Sequence, residues 1–163
     1  MHNKILNNSI EISLRLLILL ETLNKGVDFQ RIIFYDYALL HSGDFDSDQS
    51  SLIPPSPFRR EELSVKADLI QNALALLSKK QLIDVVFKEK GVFYKRNNLT
   101  RLFLRNFTSG YYIKIAEKAK WVKKHFKKYD DQRLKAYFDL SIEQWKSEFS
   151  AYGLYSEDFI DAR

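Results

Sequence analysis

The chain has 163 residues, 45% of them hydrophobic and including 12 Phe and 9 Tyr. That suits a compact domain with appended helices and excludes a disordered chain of low hydrophobicity. Its 26 Lys and Arg against 21 Asp and Glu leave a formal net charge of +5, too mild a bias for a dedicated polybasic nucleic-acid binder. With no cysteine, disulfides, thiolate metal sites and thiol nucleophiles are excluded.

The longest unbroken apolar run, Leu16 to Leu20, is far too short to span a bilayer. Met1 to Asn8 is polar and does not read as a secretory leader, so the expected location is cytoplasmic, with no membrane partner. From Ile5 to Leu23 the pattern predicts a helix, capped by Asn8 or Ser9 and ended by Lys25-Gly26. Its second half is apolar nearly all round, which predicts burial between other elements.

A second helix is predicted from the Asp28 cap to about Ser42, with Gly43 as the stop. Phe29, Ile32, Ile33, Tyr37 and Leu40 form its stripe. From Gly43 to Phe58 the composition turns to Asp, Ser and Pro, and all three prolines of the chain stand there, so a loop follows. A third helix spans about Arg60 to Lys79, with Glu61 and Glu62 at its positive end and Lys79 and Lys80 at its negative end. Leu63, Ile70, Leu74 and Leu77 supply its inner face.

Leu82 to Phe87 and Val92 to Lys95 are β-prone runs around Lys88-Glu89-Lys90-Gly91, a hairpin with a glycine-containing turn. Three helices followed by a two-stranded wing is the order of a winged-helix domain. Three further helices, about Leu99 to Asn106, Tyr111 to Lys128 and Asp130 to Phe149, are rich in aromatics; Tyr152 to Arg163 reads as an acidic, aromatic tail.

No catalytic set stands out. Asp44, Asp46 and Asp48 alternate in the loop, but a calcium-binding EF-hand counted from Asp44 would need Gly and Glu where Gln49 and Pro55 stand. The expectation is a solvated acidic loop. His41 with Asp36 and Ser42 has the residue types of a hydrolase triad, yet all three fall within two turns of one helix, without a nucleophile elbow. His2 and His125 have no metal-binding spacing, and no glycine loop could cradle phosphate. No cofactor is expected.

Asp36 falls in the middle of an apolar helical stripe, where a bare carboxylate would cost several kcal/mol. Arg59 or Arg60, with His41 or a tyrosine hydroxyl as alternatives, is the expected partner, and the pair would pin the proline loop to the second helix. Lys114, Lys118, Lys120, Lys123, Lys124, Lys127 and Lys128 are opposed locally only by Glu117. Interleaved with Tyr111, Tyr112, Trp121, His125 and Phe126, they suit either phosphate contacts with stacking or a solvated face whose aromatics point inward. Arg96, Arg101 and Arg105 would extend that DNA or acidic-partner surface. Tyr111, Tyr112, Trp121 and Trp145 are candidates for partner docking, and the acidic residues Glu143, Glu148, Glu157, Asp158 and Asp161 would polarise the molecule.

Asp28-Phe29-Gln30-Arg31, Asp36-Tyr37, His41-Ser42-Gly43-Asp44, Ser51-Leu52, Pro55, Pro57-Phe58-Arg59, Glu62-Leu63 and Val65-Lys66, in that order, resemble the middle component of bacterial ABC-three-component systems, which include Lamassu-type anti-phage operons. The similarity runs from about Ile10 to Phe126 and is densest between Asp28 and Leu77. Ile53 stands where a histidine is expected, and Lys66-Ala67 where an arginine pair is expected. The resemblance implies a small subunit bridging an SMC-like ABC ATPase and an effector, often a nuclease.

The expected fold is mainly α with a small β-hairpin. A winged-helix-like domain over 1–106, with its Pro-rich loop over 43–58 and wing over 82–96, would be extended by C-terminal helices over 107–163. The expected function is a non-catalytic adaptor in a defence complex, contacting double-stranded DNA through that complex. The rival readings are a stand-alone winged-helix DNA-binding regulator using the third helix, and an antitoxin-like protein using Tyr35, Asp36 and Tyr37.

Overall fold

The computed structural model describes residues 8–54 and 59–140, except the side chains of Arg59, Arg60 and Ser64. At its centre is α1 (Ser9–Leu23), which begins where Asn8 accepts hydrogen bonds from the Ile10 and Glu11 amides. It ends at Asn24, whose left-handed φ of 51° closes the turn; the sequence pattern put that break one or two residues later, at Lys25-Gly26. Residues 11–20 of α1 are all buried, because α2, α3, α4, α5 and strand β3 pack around it.

Strand β1 (Val27–Asp28) leads into α2 (Phe29–Leu40), and the Asp28 carboxylate caps the Arg31 amide at 2.8 Å. The sequence predicts a single apolar stripe on α2; in the structure residues 32–40 are all buried. The second face is covered by a sheaf of rings: Phe34 stacks on Phe138 at 4.2 Å, Tyr35 on Phe126 at 5.7 Å, and Phe45 meets Tyr37 edge-on. A 3-10 turn (Ser42–Asp44) then opens the loop, which folds back so that the Leu52 and Ile53 amides bond the Leu40 carbonyl. Glycine is required at position 43, since a Cβ there would sit 2.9 Å from Ser51 Oγ and 3.1 Å from the Gln49 carbonyl.

Helix α3 (Arg59–Lys79) buries Ile70, Ala73, Leu74 and Leu77. Strands β2 (Ile83–Lys88) and β3 (Gly91–Arg96) form the predicted hairpin, joined by Glu89-Lys90, with Gly91 at φ +126°. One strand goes beyond the sequence reading: β1 pairs with β3, Val27 opposite Tyr94 and Asp28 opposite Phe93, giving an antiparallel sheet ordered β1-β3-β2. Two residues are too short for an alternation signal, which is why β1 is silent in the sequence. Helix α4 (Asn98–Leu104) starts with a capping box between Asn97 and Thr100, and the Thr100 hydroxyl also donates to the Leu82 carbonyl. Helix α5 (Gly110–His125) and a last helical stretch, α6 (131–140), complete the described chain. Ile115, Ala119, Val122, Phe126, Leu134 and Phe138 join the same buried cluster as α1, α2 and α3.

Inside this cluster lies an ion pair. Arg15 Nε donates to Asp36 Oδ1 at 2.5 Å and a second guanidinium nitrogen to Oδ2 at 3.0 Å, both side chains being 1% exposed. The partner that holds Asp36 is Arg15 of α1, which the sequence reading does not name; the expected partners Arg59 and Arg60 have side chains outside the described set. Arg15 is hidden in the sequence because it interrupts a leucine run that otherwise reads as wholly apolar. Asp36→Ala would strand a buried guanidinium, and a loss of about 3–5 kcal/mol is expected in urea unfolding. The double variant Arg15→Met/Asp36→Leu is expected to recover most of that loss.

Candidate functional site

Three of the residues singled out in the sequence part company. Asp36 faces Arg15, the Ser42 hydroxyl donates to the Ser50 carbonyl at 3.2 Å, and His41 stacks on Tyr37 with Nε2 3.5 Å from Glu62 Oε1. They do not form a relay. Glu62, at the positive end of α3 as expected, turns toward His41 and also meets Lys66 Nζ at 3.1 Å. His41 is fully buried and Lys66 is 4% exposed, so an uncompensated charge here would be costly. Burial alone would push the Glu62 carboxyl up; His41 and Lys66 outweigh it and bring it down to about 2. Tyr37, His41 to Asp44, Ser51-Leu52, Glu62 and Lys66, which carry much of the family resemblance, thus build the joint between α2, its loop and α3, while Asp36 ties α2 to α1.

The acidic loop is not simply solvated. Asp46 accepts from Trp121 Nε1 at 3.0 Å and from the Asp48 amide at 3.0 Å, and these bonds hold its carboxyl below the ordinary range. Gln49 accepts from Lys118 Nζ at 3.0 Å, and Tyr37 donates to Asp44 at 3.4 Å. Trp121 and Lys118 therefore face the loop, and Trp121 stacks on His125 at 4.8 Å. Tyr111 and Tyr112 are half-buried. Burial and then the nearby Glu11 carboxylate push the Tyr111 hydroxyl up. The aromatics of α5 point into the molecule rather than forming a stacking platform. Trp145 lies outside the described residues.

The opposite flank of α5 is different. Lys120, Lys123, Lys124 and Lys127, with Thr22, Leu23, Lys25 and Tyr35, line a cleft of about 610 Å³. Lys123 donates to the Thr22 carbonyl at 2.9 Å, covering the negative end of α1. A second cleft, of about 420 Å³, lies beside it against the hairpin and is lined by Asn24, Lys25, Gly26, Val86, Lys88, Phe93, Lys95 and Arg96. Lys25 belongs to both. Lys114 and Lys128 are exposed on α5 and its continuation and line neither cleft. Arg96 and Arg101 both clamp Glu21, at 2.6 and 2.9 Å, so part of their expected contribution to a basic surface is neutralised. Arg105 is exposed after α4. Among the described residues no group of His, Asp and Glu could hold a metal ion, and no helix is long and apolar enough to cross a membrane.

A family model described as ABC-three component (ABC-3C) system Middle Component 2 matches residues 5–148. The chain belongs to that family. No curated protein and no solved structure matches it. The middle component is thus a part of a multi-component ABC system, and its described residues offer a basic double cleft on one side and a braced loop on the other.

Because Glu62 is ionised down to about 2 in the fold and to about 4.5 outside it, its contribution is present above pH 4.5 and lost as pH falls toward 2. Glu62→Gln is expected to cost roughly 1–3 kcal/mol at neutral pH, by leaving Lys66 without its carboxylate. Urea unfolding should also show a flatter decline between pH 5 and pH 2 than the parent chain.

Proposed function

We propose that this middle component is the non-catalytic adaptor of its assembly. It holds an SMC-like ABC ATPase against an effector subunit, a nuclease, in a Lamassu-type complex that defends bacteria against phage or plasmid DNA. The observation that carries the reading is the family match over residues 5–148, which makes the chain one part of an ABC system. The chain's own chemistry agrees with a supporting part: buried Arg15 pairs with buried Asp36, and buried His41 and Lys66 lie against the half-buried Glu62.

In this reading residues 1–106 are a winged-helix-like unit and 107–163 its helical extension. The order helix, strand, helix, helix, strand, strand and the sheet order β1-β3-β2 support it. Docking on the ATPase or effector falls to the wing, where Phe87 is 79% exposed, and to the aromatic C-terminal part. DNA, where the complex meets it, lies on the lysine-lined side. Helix α3 is a poor reader of DNA, since its exposed Glu61 and Asp68 would repel phosphate.

Co-expression of the tagged chain with its genomic neighbours tests the adaptor. The expected outcome is recovery of an SMC-like ATPase and an effector in a fixed ratio, read by mass photometry. A monomer or dimer that leaves both neighbours behind would overturn it.

A further inference from the structure

The lysine cleft and the hairpin cleft meet at Lys25, and the residues lining them include seven lysines and Arg96, with no Asp or Glu among them. Lys123 is committed to the Thr22 carbonyl and Arg96 to Glu21. Lys25, Lys88, Lys95, Lys120, Lys124 and Lys127 are exposed and stand in none of the ion pairs among the described residues; Lys88 lies 5.3 Å over the Phe93 ring and keeps its charge. Six uncompensated ammonium groups are thus gathered along two joined depressions. We infer that these two clefts form one track for the phosphodiester backbone of a DNA duplex, running from α5 past Lys25 to the hairpin.

The inference rests on the reading that the lysine side faces DNA, and adds where and how. Three observations select the occupant. Lysines bind phosphates as point charges without reading bases, and such contacts fix position on a duplex rather than sequence. A single strand would need free rings to stack on along the clefts, whereas Trp121 is bonded to Asp46 and Tyr35 is 2% exposed with its hydroxyl accepting from Arg31. Phe93 is half-buried with Lys88 5.3 Å over its ring, and Phe87 alternates to the sheet face opposite the cleft-lining Val86. An acidic protein partner would favour buried aromatic and arginine anchors, and the cores of protein interfaces are depleted in lysine. Joined clefts fit an extended polyanion better than a compact one, which would need only the first.

The test is fluorescence anisotropy of the full chain with a labelled duplex of roughly 20 base pairs, repeated across salt from about 50 to 200 mM. The unaltered chain is expected to bind without sequence preference, with a slope of log affinity against log salt of roughly −4 to −5. Lys120→Ala/Lys124→Ala/Lys127→Ala is expected to weaken binding at least about tenfold and flatten the slope by roughly 2 to 3. Lys88→Ala/Lys95→Ala should flatten it by roughly 1 to 2. Lys114→Ala/Lys128→Ala/Lys135→Ala, removing the same charge from exposed positions outside both clefts, should change affinity less than about twofold.

Absence of duplex binding by the unaltered chain at low salt overturns the track, as does equal weakening by the control triple. A hairpin double variant that binds like the parent overturns it too, reducing the site to one cleft suited to a compact polyphosphate. The cleft triple is also co-expressed with the genomic neighbours. Retention of the ATPase supports the track, and its loss would make the cleft a docking surface for an acidic protein. If the unaltered chain itself fails to recover the ATPase, the adaptor reading fails while the anisotropy result stands.

Discussion

A carboxylate and a guanidinium can be taken out of water in this protein only together. Arg15 and Asp36 stand on the two helices that both α3 and α5 pack against, and each is 1% exposed. Such a pair adds little net stability over well-packed apolar side chains, because the desolvation of both ions offsets their attraction. What it does is choose. Helix α1 is buried along residues 11–20 and α2 along residues 32–40, and apolar contacts alone carry no direction, whereas an ion pair does. In the position observed, two guanidinium nitrogens reach both carboxylate oxygens, and α3 and α5 pack against both helices so placed.

Helix α5 shows how one lysine-rich sequence serves two ends. On one flank Lys118 and Trp121 are spent on Gln49 and Asp46, bracing the loop that follows α2. On the other, Lys120, Lys124 and Lys127 look into the cleft shared with Lys25. The apolar positions Ile115, Ala119, Val122 and Phe126 divide the two flanks. The basic and aromatic residues interleaved in the sequence are therefore separated in space. Most aromatics serve the interior, and the free charge serves the surface.

The hairpin, the Asn8 and Asp28 caps and the inner face of α3 are legible in the sequence because each rests on local chemistry: a glycine turn, a side-chain acceptor, a repeat of apolar residues. Arg15 is not legible as the partner of Asp36, because the two are 21 positions apart and a lone arginine in a leucine run carries no label of what it meets. Glu62 reads as a solvent residue since the first turn of a helix welcomes a carboxylate anyway; its inward turn depends on His41 and Lys66 lying together in three dimensions. The split of the lysines is hidden likewise. Helical spacing tells which residues share a face, but not which face the acidic loop will claim. The order of short motifs reaches the family where periodicity cannot.

Strand β1 is only two residues long, yet it binds the hairpin to the link between the two central helices. Tyr94 and Phe93 pair with Val27 and Asp28, and Asp28 is also the cap of α2. The wing is therefore geared rather than hinged. Strand β3 joins the hairpin to the cap of α2 and lies beside the short segment that carries Lys25. The exposed ring of Phe87 and the part of the basic surface formed by Lys88 and Lys95 thus stand on one small sheet, whose third strand leads into α2.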